Sequence, residues 1–85
     1  MKDHRRIREQ ILTALYKHLE DHPNSTGLIE RQIKSEIGDL DISFDLYYLL
    51  DKAYVRKKSD YYKITAEGIE ALERWDRENL EEMGK

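Results

Sequence analysis

Apolar residues recur at three- and four-residue steps from the start of the chain. Ile7, Ile11, Leu12, Leu15 and Leu19 fall on one side of a helical projection, which predicts an amphipathic helix over roughly residues 5–20. Pro23 and Asn24 end it, and Asn24, Ser25 or Thr26 offers a cap for a second helix. That helix presents Ile29, Ile33 and Ile37 at strict four-residue spacing, and Gly38 closes it. A third helix follows with Asp41 or Ser43 as its cap and Ile42, Leu46, Leu49, Leu50 and Ala53 as its inward stripe. The period then falls to two. Residues 54–57 and 61–64 are rich in aromatic and β-branched side chains, and Lys58-Ser59-Asp60 between them reads as a tight turn. Alternation places Val55, Tyr62 and Ile64 on the covered side and leaves Arg56, Tyr61 and Lys63 toward solvent. Thr65 caps a last helix running to about Met83, with Glu67 in its first turn. Its apolar stripe is thin (Ile69, Leu72, Trp75, Leu80, Met83), and Glu70 with Arg74 and Glu73 with Arg77 stand at ion-pair spacing.

The expected fold class is mainly α with a small β-hairpin, in the order three helices, two strands and a last helix. One domain spans residues 1–85, with a core over about 5–72 and the C-terminal helix over about 66–83. No internal repeat, low-complexity tract or linker interrupts it. Eighty-five residues allow one small core with little stability to spare. The chain has no cysteine, which removes disulfides, thiolate metal sites and cysteine nucleophiles. The charged opening MKDHRRIREQ is unlike a signal peptide and no apolar run approaches membrane length, so the expectation is a soluble, cytoplasmic protein.

The net charge of −3 argues weakly against a general polyanion binder, but the charge is segregated. Residues 36–51 carry five acidic side chains and no basic one, whereas residues 52–63 carry five basic and one acidic. Residues 1–35 lean basic and residues 64–85 lean acidic. The positive charge therefore gathers in the hairpin. Arg56, Lys57, Lys58 and Lys63, interleaved with Tyr61, form a basic and aromatic group suited to phosphate contacts; the plain alternative is a solvated edge whose lysines discourage strand pairing. Arg5, Arg6 and Arg8 extend this group if the N-terminus folds beside it.

The third helix points the other way. With its stripe inward, Phe44, Tyr47, Tyr48 and Asp51 face out, no arginine or lysine lies at the centre of that face, and only Lys52 stands at its end. Asp45 and Asp51 are expected to face phosphates unfavourably. His18 and His22 are spaced to share a metal, but no third ligand is suitably placed, and solvated histidines are the simpler reading. The chain has no nucleophile elbow or phosphate-binding glycine loop, so no catalysis, metal or cofactor is expected.

The run Leu46, Leu49, Ala53-Tyr54-Val55, Tyr62-Lys63-Ile64-Thr65 and Gly68 resembles the pattern of the winged helix-turn-helix superfamily, especially small archaeal, bacterial and phage transcriptional regulators. The resemblance covers roughly residues 7–72. Ala53 departs from it, standing where glycine is usual, and so does the acidic loop before the third helix. It implies a DNA-binding transcriptional regulator whose third helix enters the major groove while the hairpin, or wing, follows the backbone. Ser43, Phe44, Tyr47, Tyr48, Lys52, Arg56, Lys57, Lys58, Tyr61 and Lys63 are the residues it would place on DNA. It also implies a homodimer through Ile69, Leu72, Trp75 and Leu80. The competing expectation is a protein-interaction module that docks through Phe44, Tyr47 and Tyr48, since exposed rings with few central charges suit an interface core.

Overall fold

The first apolar stripe folds into α1 (His4–Asp21), which buries Ile7, Ile11, Leu12 and Leu15 and half-buries Leu19. The computed structural model describes residues 3–38 and 41–83, with side chains as far as residue 78. Asp3 caps α1 by accepting the Arg6 N–H at 3.2 Å. Because α1 packs against α2, α3, α4 and β3, it is the central element. The elements follow in the order α1, β1 (Leu28–Ile29), α2 (Glu30–Ile37), α3 (Ser43–Asp51), β2 (Val55–Lys58), β3 (Tyr61–Ile64) and α4 (Ala66–Met83). The result is mainly helical, with a small antiparallel sheet of strand order β1-β3-β2.

Two of the sequence expectations change between α1 and α2. Residues 24–26 do not cap the second helix, because a two-residue strand intervenes and pairs Leu28 with Tyr62 and Ile29 with Tyr61. Gly27 permits that pairing. Its φ is 116°, and a Cβ there would overlap the Tyr62 carbonyl. The start of α2 is held instead by Gln32, whose side-chain oxygen accepts the Ile29 N–H at 3.0 Å. Ser25 orders the preceding turn: its Oγ accepts the Gly27 N–H at 3.1 Å and lies 2.8 Å from His18 Nε2. His18 is thus half-buried and hydrogen-bonded rather than freely solvated.

Gly38 ends α2 as expected, its N–H donating to the Lys34 carbonyl. At α3 the Asp41 side chain accepts the Ser43 N–H at 3.2 Å. Ile42, Leu46 and Leu49 enter the core, Leu50 is half-buried, and Ala53 is exposed, so the stripe is shorter than its spacing implied. Val55, Tyr62 and Ile64 line the covered face of the sheet, and Ala71 and Leu72 close the core from α4.

The passage from α3 to the sheet is fixed by hydrogen bonds at nearly every residue. The N–H groups of Lys52, Ala53 and Tyr54 donate to the carbonyls of Tyr48, Leu50 and Leu49, and the Thr65 N–H donates to the Tyr54 carbonyl. Thr65 Oγ1 donates to the Ala53 carbonyl at 2.6 Å and accepts the Gly68 N–H at 3.1 Å, so the α4 cap is tied to the α3 exit. A side chain on Gly68 would overlap the Tyr54 carbonyl, which is why the first turn of α4 lies so close. Ala53 has a φ of 62°, the left-handed conformation that glycine adopts without strain. Replacing Ala53 with Gly relieves about 1–2 kcal/mol of strain and adds about 0.5–1 kcal/mol of chain entropy cost, a net gain of about 0.5–1 kcal/mol. Thermal unfolding followed by circular dichroism should show Ala53→Gly melting a few degrees higher, and Gly68→Ala melting clearly lower.

Candidate nucleic-acid interface

In the β2–β3 hairpin, pairing sets Arg56 opposite Lys63 and Lys58 opposite Tyr61 on one face, with Val55 opposite Ile64 and Lys57 opposite Tyr62 on the other. The outer face therefore carries Arg56, Lys58, Lys63 and Tyr61, and Tyr61 is 40% exposed. Lys57 does not belong to that face. It lies along the Tyr62 ring, with Nζ 5.5 Å from the centroid, at the groove between the hairpin and the start of α2. Among the described residues, no carboxylate comes within 4.0 Å of Lys52, Arg56, Lys57, Lys58 or Lys63. Arg56 and Lys63 are thus like charges directly opposed across the strands, an arrangement that weakens a sheet unless something else neutralises it.

The outward face of α3 differs from its expected form. Phe44 is 59% exposed and Tyr47 is 67% exposed, and Ser43 and Asp51 are exposed beside them. Tyr48 is half-buried: the Arg8 guanidinium carbon sits 3.5 Å above its ring centroid, and Lys52 Nζ lies 5.8 Å from the same ring. Neither Phe44 nor Tyr47 packs under α1, although the edge of the His4 ring meets Phe44 at 5.1 Å between centroids.

Asp45 is the largest correction. Rather than facing phosphates, it is 0% exposed, on the side of α3 that meets α1. Arg8 Nε donates to its Oδ1 at 3.2 Å, and His4 Nδ1 lies 3.1 Å from both carboxylate oxygens and donates to them. The carboxylate also sits in the first turn of α3, where the helix dipole favours an anion. Arg8 is therefore spent inside the fold. Arg5 pairs with Glu78 of α4 at 3.1 Å, so neither arginine extends the hairpin's charge.

The expected dimer stripe is mostly consumed within the chain. Leu72 is buried in the core, and Ile69 and Trp75 are half-buried against it, with Trp75 meeting the Tyr54 ring edge-on at 6.0 Å. Leu80 lies beyond the described side chains. Glu70 and Glu73 form no ion pair with Arg74 or Arg77. Comparison with protein-family models, curated proteins and solved structures finds no match.

A buried carboxylate that loses one of two cationic or donor partners retains its desolvation cost. Arg8→Met should therefore cost about 2–4 kcal/mol in chemical denaturation, while Arg8→Met combined with Asp45→Leu should recover much of that loss. Additive losses in that double-mutant cycle would show that the pair is not coupled.

Proposed function

We propose that the chain is a winged helix-turn-helix module that binds duplex DNA, with the β2–β3 hairpin as a wing on the phosphate backbone and α3 against the major groove. The observation that carries this reading is the cation group of the hairpin, above all Arg56 opposite Lys63 with Lys58 alongside, which no carboxylate among the described residues pairs with. Binding to a polyanion would bring counter-charge to that group. Three further features support it. The expected succession of three helices, a hairpin and a last helix agrees with the observed order, to which the two-residue β1 is an addition. The burial of Asp45 removes a carboxylate from the side that would face phosphates. The hydrogen-bonded exit of α3 holds helix and hairpin in one orientation, so little ordering entropy is lost on binding. Regulation of transcription is the use that the resemblance assigns to such a domain.

A second reading has a specific observation behind it: Phe44 and Tyr47 are large exposed rings on a helix face without a basic residue. A protein partner would cover them and leave the hairpin cations free. Tyr47→Ala would then abolish partner capture without changing any binding to DNA.

Under the DNA reading, affinity for mixed-sequence duplex should fall steeply with salt, with a log-log slope of about −2.7 if the three cations of the hairpin's outer face, Arg56, Lys58 and Lys63, each meet a phosphate. Lys57→Glu with Lys58→Glu should weaken binding to every sequence alike. Lys63→Glu separates function from stability. It should pair with Arg56, stabilise the domain by about 0.2–1 kcal/mol and still reduce duplex affinity. Absence of duplex binding at low salt would defeat the reading.

A further inference from the structure

The outward face of α3 has few groups that can hydrogen-bond to bases. Arg, Lys, Asn and Gln, which make most direct contacts to purines, are absent from it, and its exposed side chains are Ser43, Phe44, Tyr47 and Asp51. Asp45 is buried, Tyr48 lies beneath Arg8, and Lys52 sits at the Tyr48 ring. Asp51 follows one turn after Tyr47 and repels phosphate. What remains at the centre is largely apolar: two mostly exposed rings, for which the one ring contact among the described residues is that of His4 with Phe44.

One feature of the major groove is itself apolar. The 5-methyl group of thymine projects there and marks an A·T pair without any hydrogen bond. Phe44 and Tyr47 stand three residues apart on one helix face, which separates their Cβ atoms by about 5–6 Å. Successive bases on a strand rise by about 3.4 Å, so the two rings span methyl groups one or two steps apart. The cationic hairpin begins directly after the fixed turn at residues 52–54, so phosphate contacts there would hold the aromatic face against the groove.

We propose that Phe44 and Tyr47 are the specificity-determining residues of this surface and that they select thymine through its 5-methyl group. This rests on the duplex-binding reading above, with the hairpin supplying affinity and the rings supplying discrimination. Because the contact is apolar, it changes the affinity at a given salt concentration and leaves the salt slope alone.

The test uses the full chain and two short duplexes of identical alternating sequence, one with thymine and one with uracil at every such position, with binding followed by fluorescence anisotropy. Each methyl covered is worth about a 4-fold change in affinity, so two rings predict a preference for thymine of about 15-fold. Phe44→Ala and Tyr47→Ala remove exposed side chains, so both variants should fold, which circular dichroism checks. Each should shrink the preference while keeping the slope against salt. Equal affinity for the two duplexes, with normal binding, overturns the thymine proposal and leaves the duplex reading standing. A preference that survives both substitutions also overturns it, because the discrimination then lies elsewhere. Failure to bind either duplex at low salt overturns the duplex reading and this proposal together.

Discussion

The buried carboxylate of Asp45 is the constraint on which the arrangement of helices depends. An ionised group without solvent costs several kcal/mol unless charge and hydrogen bonds surround it, and α1 supplies both through Arg8 and His4. Leu and Ile side chains can slide against one another with modest loss; a carboxylate held from two successive turns of α1 cannot. The contact therefore fixes the register of α1 on α3 in a way the apolar stripe alone does not. It also decides what the surface looks like. Arg8, drawn inward, lies over Tyr48 and takes that ring out of the exposed face, while the negative charge of Asp45 is withdrawn from it.

Past α3, the chain is held by a different means. Lys52, Ala53 and Tyr54 each place their N–H on a carbonyl of α3, and Thr65 bonds back to the same turn from the far end of the hairpin. The left-handed backbone at Ala53 persists because these bonds over-determine it, although alanine pays for the conformation in strain. These bonds tie the helix, the hairpin and the start of α4 to one another. A surface composed of an aromatic helix face and a cationic ribbon keeps its spacing only under that condition.

Much of this was legible in the sequence. The α1 stripe, the two-residue period of the hairpin and the Thr65 cap follow from spacing and local chemistry, and the structure bears them out; the stripes of α2 and α3 hold only in part, since Ile29 lies in β1 and Ala53 is exposed. The strand at Leu28–Ile29 was not legible, because two residues show no period and Ile29 also fits the four-residue rhythm of Ile33 and Ile37. Asp45 carried a signal that its polarity obscured. It stands three residues after Ile42 and four before Leu49, on the inward side of the helix, and only its chemistry suggested otherwise. The partners that make its burial tolerable lie 37 and 41 residues away, a distance at which no local pattern speaks. Lys57 is a smaller case: alternation from Val55 already sets it on the face opposite Arg56 and Lys58, and the run of adjacent cations in the sequence hides that division. At Leu72 the thin stripe of α4 read as surface to be covered by a second copy, whereas the core of this chain takes it.

The net charge of the chain misleads for a related reason. At physiological ionic strength charges are screened over about 8 Å, so a polyanion senses the groups near it rather than the sum over the molecule. The acids of α4 and the cations of the hairpin occupy separate elements, and the one acid that α3 might have set centrally against a phosphate is buried. A fold optimised for stability alone would put a carboxylate opposite Arg56, where Lys63 stands. Retaining two opposed cations across a short ribbon, with no carboxylate among the described residues within 4.0 Å of either, is a cost that burial, packing and capping elsewhere in the domain must offset. Under the proposed duplex reading, a phosphate backbone along the hairpin would offset that cost, and the opposed pair is the feature from which that reading is argued.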